Sequence, residues 1–282
     1  MHDDLPPVTT KFELGDEITH VQRLFLARYG FLHFKRVISL DEVEMVRTEL
    51  DRIEADHIIR DRRKVNGIPL FWGKGAGGHR RLQRSAFTSL FSEKISELIH
   101  DDRFEPIRKL IGADARVGDR EKDGVVVNRY INVRGSVYRR LGWHTDGLRD
   151  LFYGRMPEQM LNIGLHLDEV GQRDGGLSLV PGTHEQGFLS MLLAKPYFVG
   201  HGDDPREIVV HTSPGDLTIH DGRLWHRVRR SLKTGAESQR RTMYVPYLTG
   251  PYEPKDESSP TPGYHKLGRA IRKLRSFGGA IL

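Results

Sequence analysis

Three features of this chain predict a β-rich α+β fold: a double-stranded β-helix, of the jelly-roll or cupin-like barrel kind, with flanking N-terminal helices. Helix-period segments gather in the first 121 residues, and strand-like runs crowd the stretch 122–248. The strands are joined by turns such as Asp174-Gly175-Gly176, Pro181-Gly182 and Pro214-Gly215. No regular crossover helices separate them, which argues against a parallel α/β sheet and for two antiparallel sheets behind a helical layer.

Taken in order, Ile18, Val21, Leu24, Phe25 and Leu26 predict a helix over 16–29 that stops at Gly30. Gly30 to Phe34 reads as a short strand. Ser39-Leu40-Asp41-Glu42 is a capping box, and Val43, Val46, Leu50 and Ile53 mark one face of the helix it opens. Residues 65–90, rich in Gly and Arg around Phe71 and Trp72, read as irregular, with 73–84 a surface excursion or a substrate-covering loop. A second helical region is expected over 92–111. Val125 to Val133 is strand-like, and further strands are expected at 159–168, 176–180, 207–212, 216–220, 225–230 and 240–248. A Pro/Ser-rich loop then leads to a basic amphipathic helix with Leu267, Ile271, Leu274 and Phe277 on one face. No linker divides the chain, so 1–282 reads as one domain: helical layer and entry strands to 121, barrel core 122–248, tail 249–282.

Composition narrows the chemistry. The chain has 282 residues, 37% of them hydrophobic, and no cysteine. Disulfides, thiolate metal sites and cysteine nucleophiles are therefore excluded, and any metal must be held by His, Asp or Glu. No apolar run is long enough to span a bilayer. The start, Met1-His2-Asp3-Asp4-Leu5-Pro6-Pro7, is unlike a secretory leader, so a cytoplasmic location is expected. Net charge is +6. Basic clusters occur at Arg60, Arg62, Arg63 and Lys64, at Arg80, Arg81 and Arg84, at Arg227, Arg229 and Arg230, and at Arg269, Arg272, Lys273 and Arg275. They read as solvated surface or as sites for an anionic small molecule; no nucleic-acid module is visible.

Two segments carry the candidate chemistry. Gly142-Trp143-His144-Thr145-Asp146-Gly147 and Gly215-Asp216-Leu217 through Trp225-His226 together supply imidazoles and a carboxylate, and Arg240 and Arg241 follow. Two His and one carboxylate on one face of a metal is the ligand set of non-haem Fe(II) oxygenases. The bare His-x-Asp pattern is weak: it recurs at His2/Asp4, His100/Asp102, His144/Asp146, His166/Asp168 and His201/Asp203. The first is terminal, the second a helix end and the last a turn. His144/Asp146 is flanked by glycines at a strand end, and His166/Asp168, on another strand, is its rival. His220 rivals His226 for the remaining place.

These residues, in this order, resemble the phytanoyl-CoA dioxygenase family of Fe(II)/2-oxoglutarate oxygenases, over about residues 22–248. Arg28-Tyr29-Gly30-Phe31-Leu32 and Ile38 to Val43 are similar to that family's opening strand and helix, and Gly142 to Gly147 to its first metal motif. Asp174 to His184 is similar to its Gly-rich stretch, Gly215 to His226 to the segment with the last ligand, and Arg240-Arg241-Thr242-Met243-Tyr244 to the cosubstrate-binding strand. The resemblance implies metal ligation by His144, Asp146 and His226, leaving His184 in a turn and His166 on an interior strand. It implies Fe(II), 2-oxoglutarate and O2 as cofactors and cosubstrates, and hydroxylation of a small molecule with release of succinate and CO2. Desaturation, cyclisation or epimerisation are other ends of the same hydrogen abstraction, and a non-catalytic or differently metallated ligand-binding jelly roll is the alternative reading. Halogenating relatives replace the carboxylate by Gly or Ala; Asp146 keeps it.

Strand alternation sorts the remaining candidates. Only one of Arg240 and Arg241 can point inward, and Arg240 shares its face with Thr242 and Tyr244, so it is expected to bind the distal carboxylate of 2-oxoglutarate. Asn128, Tyr130 and Asn132 share a face, as do Asn162, Gly164 and His166, so Asn128, Tyr130 and Asn162 join the cosubstrate-binding candidates. Trp143 and Trp225, each next to a His, read as packing residues.

Overall fold

In the computed structural model residues 5–263 are described; the helix expected around Leu267 to Phe277 lies outside them. Helix α1 (His20–Tyr29) opens on a Thr19/Gln22 capping box and ends at Gly30, whose φ is 77°. A Cβ on Gly30 would lie 2.5 Å from His184 Nδ1, so the glycine both turns the chain and admits its neighbour. Strand β1 (Phe31–Phe34) follows, then α2 (Leu40–Ile59), opened by the Ser39/Glu42 capping box. The region expected to be irregular is instead paired. It holds β2 (Lys64–Val65) with β3 (Ile68–Pro69), and β4 (Phe71–Lys74) with β5 (Arg80–Ser85). The helix expected across 92–111 is broken into α3 (Glu93–Ile99) and α4 (Glu105–Arg108), because Asp101 caps a new turn and Pro106 starts a helix instead of continuing one.

The remaining elements are β6 (Arg116–Val117), β7 (Val126–Tyr130), β8 (Leu141–His144), α5 (Leu148–Phe152), β9 (Met160–His166), β10 (Gly176–Leu179), α6 (Phe188–Leu193), β11 (Ile208–Val209), β12 (Leu217–Asp221), β13 (His226–Arg229) and β14 (Arg240–Leu248). The larger sheet runs β1-β12-β9-β14-β7-β5-β4, with β6 also on β14; the smaller runs β11-β10-β13-β8. Every ladder within them is antiparallel. Among the described residues no ladder joins the edges of one sheet to those of the other, so the expected barrel is two facing sheets of jelly-roll type rather than a closed cylinder.

Alternation gives the larger sheet two unlike faces. On β9, Leu161, Ile163 and Leu165 enter the main apolar core with Val46, Leu50 and Ile53 of α2. That face also buries an ion pair, Glu54 with Arg129 at 3.0 Å. Glu54 accepts the backbone N–H of Leu82 as well, which ties α2 to the β4/β5 hairpin. On the opposite face Asn162, Gly164 and His166 turn toward the smaller sheet. There His166 Nε2 meets Thr218 Oγ1 at 2.9 Å, and a Cβ on Gly164 would crowd Thr218 and Tyr244. The interior between the sheets is thus polar at its centre, and the candidate site lies there. No helix among the described residues is long and apolar enough to cross a membrane.

Candidate metal centre

His144 is the last residue of β8 and His226 the first of β13; the two strands pair with these residues opposite each other. Asp146 lies two positions past His144, where the ladder has ended and its N–H donates to the carbonyl of Gly222 at 2.8 Å. Among the described residues His144, Asp146 and His226 form a cluster whose ligand atoms all lie within 4.8 Å of one another. The two imidazole centroids are 4.0 Å apart, and His226 Nε2 is 3.8 Å from Asp146 Oδ1. Donors about 2.1 Å from one ion lie at most about 4.2 Å apart, so that pair suits a shared metal.

Each imidazole is oriented by its own backbone. His144 Nδ1 lies 2.8 Å from the carbonyl of Gly142, and His226 Nδ1 lies 3.0 Å from that of Leu224. A carbonyl only accepts, so Nδ1 carries the hydrogen and Nε2 keeps the lone pair that a metal needs. Burial lowers the pKa of both rings, so both are neutral near pH 7, the ligating form. Burial pushes the Asp146 carboxyl up, but His226, the hydrogen bond from His220 and His144 outweigh it and hold the carboxyl well below the usual range.

An aromatic shell backs the ligands. Trp143 and Trp225 are buried with Val180, and Tyr197 packs against them. Tyr197 also hydrogen-bonds Thr145, between His144 and Asp146, at 2.8 Å. The next residue, Phe198, sits at φ 61°, a left-handed conformation rare for a bulky side chain. Its ring stands 5.0 Å from that of His144, and the residue is 42% exposed, so it forms an apolar wall beside the metal position. Neither Tyr197 nor Phe198 carried a signal in the sequence beyond lying between Pro196 and Gly200.

The two arginines part company. Arg241 makes a two-point ion pair with Asp168, at 2.7 and 2.9 Å. Asp168 also pairs with Arg47, which removes His166/Asp168 as a metal pair. Arg240 is buried, lies over the ring of Tyr130, and donates to the carbonyls of Arg229 and Arg139. Its Nε has no partner, and among the described residues no carboxylate pairs with it. Burial pulls its pKa down to about 10. The carbonyl it meets is three residues past His226 on β13, roughly 10 Å along the strand at about 3.3 Å per residue. Tyr130 Oη and Asn128 Oδ1 are further buried polar atoms without a partner. Arg240 and Tyr130 thus make a cradle whose donors fit an anion, while the Asn128 oxygen beside them can only accept.

The other candidates have the following partners. Asn162, expected on the cosubstrate, donates to Asp146 Oδ2 at 2.9 Å. Thr242 lies 3.4 Å from His166 Nδ1. His220 contacts Asp146 rather than completing the ligand cluster. His184 occupies a short turn and faces the carbonyl of Ala27. Asn132 lies past the end of β7, where it binds the carbonyls of Ser231 and Lys233. Of the basic trio, Arg80 pairs with Asp61, Arg81 with Asp51 and Glu54, and Arg84 with Asp123. The 71–85 stretch is therefore an edge hairpin whose three arginines are paired, with Arg80 stacked on Trp72. A cation that the sequence did not single out lies closer to the centre. Lys122 is buried, has φ 53°, and places Nζ 3.4 Å from the carbonyl of Asp146 and 3.8 Å from Asp150.

Comparison with known proteins accords with this geometry. The family model described as phytanoyl-CoA dioxygenase (PhyH) matches residues 26–232. The chain belongs to the PhyH family. A relative of this PhyH chain from Stutzerimonas stutzeri, named "Probable alpha-ketoglutarate-dependent hypophosphite dioxygenase", is 23% identical over 219 residues, covering 73% of this chain and 70% of that protein. Among solved structures, EvdO2 from Micromonospora carbonacea var. aurantiaca, complexed with 2-oxoglutarate, superposes with a TM-score of 0.58 at 20% identity, covering 88% of this chain and 96% of its own. HygX from Streptomyces hygroscopicus, with nickel and 2-oxoglutarate bound, gives 0.57 at 22%, covering 82% and 87%. The epimerase SnoN from nogalamycin biosynthesis gives 0.56 at 19%, covering 84% and 85%. At these identities the structural likenesses establish the fold.

Proposed function

We propose that this PhyH chain is a non-haem Fe(II)/2-oxoglutarate-dependent dioxygenase that hydroxylates an unactivated C–H bond of a small organic molecule. The observation that carries the reading is a pre-oriented His-Asp-His set with a buried, carboxylate-free arginine on the same interior. His144 Nε2, His226 Nε2 and Asp146 Oδ1 would hold the metal on one face and leave the other open. Arg240 would take the distal carboxylate of 2-oxoglutarate through its planar fork, with the Tyr130 hydroxyl donating a further hydrogen bond. When bound, ferrous ion activates O2 at the expense of 2-oxoglutarate, which leaves as succinate and CO2. Burial between the sheets keeps Arg240 in a setting where a charge-assisted bond is strong.

Phe198 supplies an apolar wall for the substrate on the His144 side, while Lys122 on the Asp146 side already stands beside Asp150. The name of the Stutzerimonas relative puts hypophosphite among the first compounds to try. The test is succinate formation from 2-oxoglutarate with Fe(II) and O2 across a panel of anionic and neutral small molecules. A substrate that stimulates succinate release and gains one oxygen atom supports hydroxylation. Stimulation with a desaturated, cyclised or inverted product would reassign the outcome but keep the class. Asp146→Ala is expected to abolish turnover; an unaffected rate would move the metal elsewhere.

A further inference from the structure

The two oxygens of the Asp146 carboxylate stand in different surroundings. Oδ1 faces His226 Nε2 at 3.8 Å. Oδ2 instead meets Asn162 Nδ2 at 2.9 Å and His220 Nε2 at 3.2 Å. Asn162 on β9 and His220 on β12 are direct cross-strand partners, so the register of the larger sheet sets the two donors side by side beneath the carboxylate. His220 is fully buried, its ring centroid is 4.5 Å from that of His226, and its Nδ1 has no partner. An ionised carboxylate only accepts hydrogen bonds, so the nitrogen facing it carries the hydrogen. A nitrogen bearing hydrogen has no lone pair for a metal, which explains why His220 stands beside the ligand cluster and outside it.

We infer that Asn162 and His220 form a two-donor clamp on Asp146 Oδ2 that reserves Oδ1 as the single metal-binding oxygen. The inference rests on the metal-site reading above. An unrestrained carboxylate beside an open-faced ion can bind through both oxygens and so occupy a further coordination position. Three protein ligands on an octahedral ion leave three positions, which a chelating 2-oxo acid and O2 fill between them; a two-point aspartate would displace one. With Oδ2 committed to two hydrogen bonds from one rigid sheet, Asp146 is limited to one-point ligation before metal arrives. Asn162 and His220 are thus positioning residues.

The experiment uses the metal-free full chain and Co(II) as probe. Two quantities are read: the Co(II) dissociation constant, and the splitting of the carboxylate stretches in the metal-bound-minus-metal-free infrared difference spectrum, which is wide for one-point and narrow for two-point ligation. Asn162→Ala and His220→Leu are each expected to weaken Co(II) binding by about 10–100-fold and to narrow the splitting. His220→Gln, which returns an N–H to the same place, is expected to restore both. The half-buried Asn162→Ala keeps the test valid if His220→Leu does not fold. Wild-type affinity and splitting in Asn162→Ala would overturn the clamp. So would a folded His220→Gln as weak as His220→Leu, since the ring itself would then be a ligand. Failure of the wild-type chain to bind Co(II) would overturn the metal-site reading, and the clamp with it.

Discussion

Arg240 reaches only carbonyl oxygens, whereas Arg241, one residue on, is locked to Asp168. A buried guanidinium without a counter-charge is an unfavourable arrangement that a bound anion relieves. Arg240→Met is therefore expected to raise the dissociation constant for 2-oxoglutarate by roughly 100-fold, the equivalent of losing a charge-assisted hydrogen bond of about 3 kcal/mol. Arg241→Met should leave that constant unchanged and lower the melting temperature, because Asp168 loses its two-point partner. Isothermal titration with metal-loaded variants checks the first, and thermal melts check the second; equal effects on 2-oxoglutarate binding would contradict the distinction. This contrast was legible in the sequence, since a period of two lets only one of the neighbours face inward. The roles of His220 and Asn162 were not. Hydrogen-bond partners across three strands depend on register, and register leaves no local trace in residue type.

At the scale of elements, the face of the larger sheet away from the site is held partly by an ion pair. Glu54 of α2 and Arg129 of β7 are both buried, and burial raises the Glu54 carboxyl despite Arg129 and Arg81 beside it. Removing Glu54 leaves buried Arg129 only the exposed carboxylate of Asp51. Glu54→Ala is expected to cost about 3–5 kcal/mol of unfolding free energy with Co(II) affinity unchanged, as read by urea denaturation and metal titration. A loss below about 1 kcal/mol, the range of an exposed pair, would show that water reaches the pair. Helices α1 and α2 were legible because a capping box and a glycine stop are local signals. The β4/β5 hairpin was not. Its strands are short, and they owe their pairing to β7 and to matched charges at Asp51, Glu54, Asp61 and Asp123, all distant in sequence.

For the whole molecule, buried histidines make stability depend on pH, His57 among them because burial lowers its pKa. Burial lowers the pKa of His144 and His226, and that of His166 to about 3. In the unfolded chain each titrates near 6.5. Below that value the unfolded state takes up protons that the folded state refuses, so stability present above about pH 6.5 is lost as pH falls toward the folded values. The slope is about 1.4 kcal/mol per pH unit for each histidine fully in its window. Asp146 and Asp216, held below the usual carboxylate range, add loss in the same direction only below about pH 4. The melting temperature of the metal-free protein should therefore drop between pH 7 and 5, and His166→Gln should flatten the drop; an unchanged profile would contradict His166 as a contributor. At this scale the two-sheet architecture was legible from turn chemistry and strand spacing, and the order of its motifs from the family resemblance. The open edges were not, because closure depends on ladders between residues far apart in the chain.

On the function proposed, His144, Asp146, His226 and Arg240 together hold ferrous ion and 2-oxoglutarate. Anaerobic titration of the metal-free chain with Fe(II) and 2-oxoglutarate tests it most directly, through the weak visible charge-transfer band of a 2-oxo acid chelated to ferrous ion. The band should develop only when both are present and saturate at one equivalent of each. It should be lost in Asp146→Ala, and it should need far more 2-oxoglutarate in Arg240→Met. No band from the wild-type chain at saturating concentrations of both would contradict the account.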